Sequence, residues 1–126
     1  MSNSVFVKRD ENGNWGANNS VGVTILNGTT TSEGIVMNGY MLGGLIIPTT
    51  WDGGNITIQV SDSLTGTYVD AYDSQGNIVT LIVSGGSRYI GITGTFLQAI
   101  ASAPFIKLKS AFSVAADRVI TVAVKG

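Results

Sequence analysis

The chain has no cysteine and no histidine, two prolines, and few charges of either sign, with 7 Lys+Arg and 8 Asp+Glu in 126 residues. Each shortage removes a class of chemistry. Without cysteine there is neither a disulfide framework nor a thiolate metal site. Without histidine as well, Ser-His-Asp and Cys-His nucleophilic catalysis fall, together with His- or Cys-based zinc sites. The net charge is −1 and there is no basic block. Lys8-Arg9 is cancelled at once by Asp10-Glu11, and Lys107 with Lys109 is only a pair, whereas phosphate backbones need a patch or stripe. Nucleic acid and anionic membrane are therefore not expected partners. The opening MSNSVFVKRDEN lacks an apolar h-region, and the longest apolar run, Met41 to Ile47, is broken by Gly43-Gly44, far short of the ~20 residues a spanning helix needs. The expectation is a protein made in the cytoplasm that stays soluble there or leaves it inside an assembly.

What remains is apolar and glycine-rich. Hydrophobic residues make up 44% and there are 17 glycines, with charged residues at 12% against the roughly 25% usual for a soluble domain. A surface so poor in charge is built of Ser, Thr, Asn and Gly, and we expect partners to cover part of it. Ile56, Ile58 and Val60 alternate with Thr57, Gln59 and Ser61, the period-2 signature of a strand with one buried face. Turn chemistry at 61–66 and 73–77 separates this strand from Thr67–Tyr72 and Ile78–Val83, which predicts a three-stranded meander.

Further strands are expected at Val21–Leu26, Gly34–Met37, Tyr40–Ile47, Ser87–Ile92, Phe105–Ser110 and Arg118–Lys125. Asn27-Gly28 and Asn38-Gly39 supply turns, the second of hairpin type. Gly43-Gly44 inside an apolar run points to a bulge or to close approach by another backbone. Both faces of the last strand are apolar, which predicts a mid-sheet place or a second layer against it. Thr95 to Ala103 is expected to be irregular or a single helical turn, closed by Pro104. Eight to ten strands at turn intervals of roughly 8–12 residues make an all-β, jelly-roll-like antiparallel β-sandwich the expected fold. Residues 1–20 are loosely patterned and read as an arm or edge segment. Residues 21–126 read as the sandwich domain.

The candidate contact residues are Val5, Phe6, Val7, Arg9 and Trp15 in the arm, and Phe112 in the loop before the last strand. Val5-Phe6-Val7 reads either as an edge strand, with Trp15 capping the core, or as an arm lying on a neighbouring subunit. No catalytic, metal or cofactor residues are assigned. Asp62, Asp70 and Asp73 would need to converge in a cleft to serve a hydrolase, yet all three sit in or beside turns, where Asp bonds the local backbone. Asp52-Gly53-Gly54-Asn55 and Asp73–Asn77 lack the carboxylate density of a calcium loop. The glycine pairs lack both the lysine and the following helix of a phosphate loop. Trp51 is expected to plug one end of the sandwich, and Tyr40, Tyr68, Tyr72 and Tyr89 to pack within it.

Ile47-Pro48-x-x-Trp51, Ile56-Thr57-Ile58-Gln59-Val60-Ser61, Tyr72-Asp73-x-x-Gly76-Asn77, Phe105-Ile106-Lys107-Leu108-Lys109-Ser110 and Asp117-Arg118-Val119-Ile120-Thr121-Val122 occur in that order. This succession, covering about Leu45 to Lys125, resembles small virion proteins of tailed bacteriophages and, more faintly, discoidin-type jelly rolls. The resemblance implies a β-sandwich on a phage particle, with a capsid decoration (cement) protein as the expected role; a homotrimer on the capsid exterior, in contact with the major capsid protein, is the assembly we expect. A receptor- or carbohydrate-binding module of the tail or fibre is the alternative it leaves. It carries no catalytic residues and no cofactor. The chain departs from the pattern where a Gly/Ala/Pro-rich insert often precedes the last strand; here Ala111–Ala116 is short and carries Phe112.

Overall fold

Period-2 alternation along the chain resolves into ten strands in two sheets, in a computed structural model that describes Val5, Phe6 and residues 20–125. The elements are β1 (Val5–Phe6), β2 (Ser20–Ile25), β3 (Ile35–Val36), β4 (Met41–Ile47), β5 (Ile56–Ser61), β6 (Val69–Asp70), β7 (Thr80–Leu81), β8 (Arg88–Gly91), α1 (Gly94–Ile100), β9 (Phe105–Ser110) and β10 (Arg118–Lys125). One sheet runs β1-β3-β9-β5-β6, with β7 also on β5, and the other runs β2-β10-β4-β8. Every described pairing is antiparallel except β1 with β3. From β2 onward the chain passes between sheets at most connections, the path of a jelly-roll-like sandwich.

Turn chemistry alone does not decide these crossings. Asn38 and Gly39 have φ of 54° and 80°, the left-handed pair of a type I′ turn, which Tyr40 N–H closes onto Met37 O at 3.0 Å. The turn has the hairpin conformation that its residues predict, but it joins β3 in one sheet to β4 in the other. Local conformation is set by Asn-Gly; the strand's partner is set by which face must be buried.

The core lies between the sheets. Ile35, Ile56, Ile58, Ile106 and Leu108 face Val23, Ile25, Leu45, Ile120 and Val122, and all are essentially inaccessible to solvent. Burying each such side chain contributes about 1.5–3 kcal/mol, so these positions supply most of the driving force for folding. In β9 it is Ile106, not Phe105, that faces in. β10 lies between β2 and β4, as its two apolar faces imply. Ser32 stitches one side closed. Its hydroxyl accepts from Leu108 N–H at 3.0 Å and donates to Glu33 O at 2.9 Å, while the Glu33 carboxylate accepts from Thr24 N–H at 3.1 Å on the edge of β2.

Two expectations are corrected. The stretch from β5 to β7 is not a meander: β6 pairs with Gln59 and Val60, β7 with Ile56 and Thr57, and both lie end to end along one edge of β5. Ala71 is the switch point. It donates to Ile58 O and accepts from Val79 N–H, each at 2.9 Å. Second, the 95–103 region holds a seven-residue helix, longer than one turn, in which the i,i+4 pair Phe96 and Ile100 packs on the core. The Gly43-Gly44 reading is borne out: the β4–β10 register shifts beside Gly43, a bulge, and an added Cβ there would meet the β10 backbone at Ala123 O, 3.4 Å away, while Gly44 is covered by the ring of Tyr89.

Candidate functional site

The outward positions of the β2-β10-β4-β8 sheet form the most distinctive surface. Gly22, Thr121, Ile46 and Tyr89 stand in one row across the four strands, and Ser20, Ala123, Gly44 and Gly91 in the next. Thr24 and Val119 begin a third row. None of these ten residues is charged; β10 carries its charges only at its two ends, Arg118 and Lys125. Such faces of antiparallel sheets are ordinarily polar when they meet water. Here Ile46, Tyr89 and Val119 are 46%, 60% and 51% exposed.

Glycine makes this face flat. The Tyr89 ring lies across β4, where a Cβ on Gly44 would come within 2.4 Å of its Cζ, and its hydroxyl donates to Gly43 O at 3.4 Å. Four strands at ~4.8 Å spacing and about five residues at ~3.4 Å give roughly 320 Å² of flat area. The opposite sheet differs in kind. There Lys107, Gln59 and Asp70 stand in register, with Gln59 Nε2 donating to Asp70 Oδ1 at 3.1 Å and Lys107 Nζ 4.5 Å from the Tyr68 ring centre. One outer face carries charged side chains, and the ten residues named on the other carry none.

The residues singled out from sequence do not form one patch. The backbone of Val5 and Phe6 lies parallel to Ile35 and Val36 on the chain's own sheet, near the Phe105 end of β9. Phe112 lies just past the other end of β9; that six-residue strand separates them by about 20 Å. Phe112 is 65% exposed, its ring lies over Gly54, and its N–H donates to Gly53 O at 2.9 Å. Val7, Arg9 and Trp15 lie outside the described residues.

Trp51 is a half-buried rim plug, as expected. Its Nε1 donates to Gly54 O at 2.9 Å and its ring packs on Gly53 and against the core. Asp52 beside it accepts from Arg118 Nε at 3.1 Å and Ala115 N–H at 2.9 Å; the Arg118 hydrogen bond, then the amide, hold its carboxyl below the usual range. Of the three aspartates weighed for hydrolysis, Asp73 Oδ1 accepts the N–H groups of Asn77 and Gln75, which lower its pKa in that order. Asp70 is held by Gln59. Among the described residues no cluster of acidic side chains is placed to hold a metal ion.

Tyr40 and Tyr68 pack as expected, but Tyr72 and Tyr89 are 57% and 60% exposed. Sequence reading missed the sheet face because its members come from four distant strands. The available signal was the run of uncharged residues at alternate positions of all four. No protein-family model, no curated protein and no solved structure matches this chain.

Proposed function

We infer that this is a structural protein of a tailed-bacteriophage virion, a capsid decoration (cement) protein that binds across capsid-subunit junctions on the shell's exterior. The order of motifs from Ile47-Pro48 to Val122 supports the reading, and one observation carries it: the flat, uncharged outer face of the β2-β10-β4-β8 sheet. A face of about 320 Å² is less than half of the ~800 Å² each partner contributes to a standard interface. It therefore suits the apolar centre of a contact whose polar rim comes from flanking loops, with Ile46, Tyr89 and Val119 as anchors. In the proposed particle the protein is a homotrimer held on the major capsid protein, adding contacts that oppose internal pressure.

The test is to mix purified protein with capsids lacking it and to image the particles. Regular density at symmetry-related junctions is the expected result, and bare shells would refute it. Thr121→Arg places a charge at the centre of the face, at a position that already meets solvent, so the fold survives. An unpaired charge buried on binding costs several kcal/mol, and decoration should fall by more than about 100-fold. Removing residues 1–20 tests the arm separately, since its loss should abolish binding only where the arm itself reaches a neighbour.

A further inference from the structure

Beside α1 the surface holds a long open groove that the reading above does not use. One part, about 480 Å³, lies between Val60 and Val69 on the strand side and Ala99, Ser102 and Ala103 on the helix side. A second part of about 340 Å³ continues past the same Ala99 to Tyr72 and Asp73. On the helix side the first part is lined by Ala99, Ser102 and Ala103 and the second by Gln98 and Ala99; the lip is open to solvent, where Val69 and Tyr72 are each 57% exposed. Among the described residues, no strand pairs with β6 on its side away from β5.

The charge of this groove is one-sided. Asp62 lines the first part and Asp73 the second, and among the described residues no lysine or arginine lines either. Asp73 stays a carboxylate because two amides already bond it. Length, an apolar first part lined by Val60, Val69, Ala99 and Ala103, and one carboxylate in each part together suit an extended chain, whose alternate side chains enter such a channel while its cations meet the carboxylates. We propose that the groove between β6 and α1 is a docking site for an extended peptide segment of a partner protein, with small apolar side chains alternating with lysine or arginine. This site is independent of the sheet face: α1 packs on the core through Phe96 and Ile100, whereas the face is the outward side of β4 and its neighbours, so either can fail without the other.

The experiment titrates isotope-labelled full-length protein with acetyl-Val-Lys-Val-Arg-Val-amide at low salt and follows backbone amide signals. Saturable shifts at Val69, Ala99 and Ala103 are expected, with an apparent Kd in the low-millimolar range, about 1 mM. The counterpart acetyl-Val-Glu-Val-Glu-Val-amide should bind at least about three-fold more weakly, and Asp62→Asn should weaken the basic peptide by about the same factor. Ala99 is exposed on the helix, so Ala99→Phe fills the groove while an unchanged melting temperature certifies the fold, and it should abolish the shifts. No saturable shift at Ala99 up to about 5 mM, or shifts that persist in Ala99→Phe, overturns the proposal. So do shifts confined to Ile46, Tyr89 and Val119, which would assign the peptide to the sheet face.

Discussion

Two glycines that look alike in sequence should respond very differently to alanine. At Gly86 an added Cβ would lie 2.3 Å from Pro48 O and 2.4 Å from Thr49 O, both backbone atoms. Neither can rotate away, so the 48–49 and 86–87 segments must part, which also strains the Ser87 N–H bond to Pro48 O at 3.0 Å. Overpacking of this kind costs about 1–3 kcal/mol, and a weakened hydrogen bond about 1 kcal/mol more, so Gly86→Ala should destabilise by about 3 kcal/mol. For a domain of this size that lowers Tm by roughly 10 °C. At Gly44 the added Cβ meets Tyr89 even more closely, 2.2 Å from its hydroxyl oxygen. Yet Tyr89 is 60% exposed and its ring can swing out to solvent. Gly44→Ala should therefore cost under about 1 kcal/mol, chiefly the lost cross-strand contact. It should still weaken particle binding, because it reshapes the centre of the uncharged face. Calorimetric melts of both variants decide the matter. Equal losses, or a larger loss at Gly44, would refute the idea that the flexibility of the opposing atoms sets the cost.

Leu108 is fully buried opposite Ile58, so Leu108→Ala should lower stability by about 2–5 kcal/mol, read as a shifted urea midpoint with unchanged slope. Asp73 has a folded-state pKa held below its unfolded value, so its contribution is complete above pH ~4 and is lost as pH falls through the folded value. The Tm gap between wild type and Asp73→Asn should accordingly be present at neutral pH and close in strong acid; a gap that does not change with pH would count against the turn bonds as its source.

Much of the local structure was legible in the residues. Ile56–Ser61, Phe105–Ser110 and Arg118–Lys125 alternate so strongly that their expected bounds coincide with β5, β9 and β10. The Asn38-Gly39 and Asp73–Asn77 turns follow from side-chain chemistry within a few residues. The absence of histidine and cysteine, read directly, removed the catalytic schemes that depend on those two residues. These are the properties the sequence by itself determines, because each depends on neighbours along the chain.

Tertiary structure decided the rest. Alternation states that Thr67–Tyr72 and Ile78–Val83 are extended, but not that both contend for one edge of β5, since pairing is a choice among distant partners. The same holds for Tyr89, whose role depends on a glycine 45 positions away being its neighbour across a ladder. The uncharged face exists only once the register aligns Gly22, Thr121, Ile46 and Tyr89 in one row, and the groove only once α1 comes to lie beside β6. Strand identity is local chemistry; a surface is the sum of long-range registers, and only the folded chain can set them.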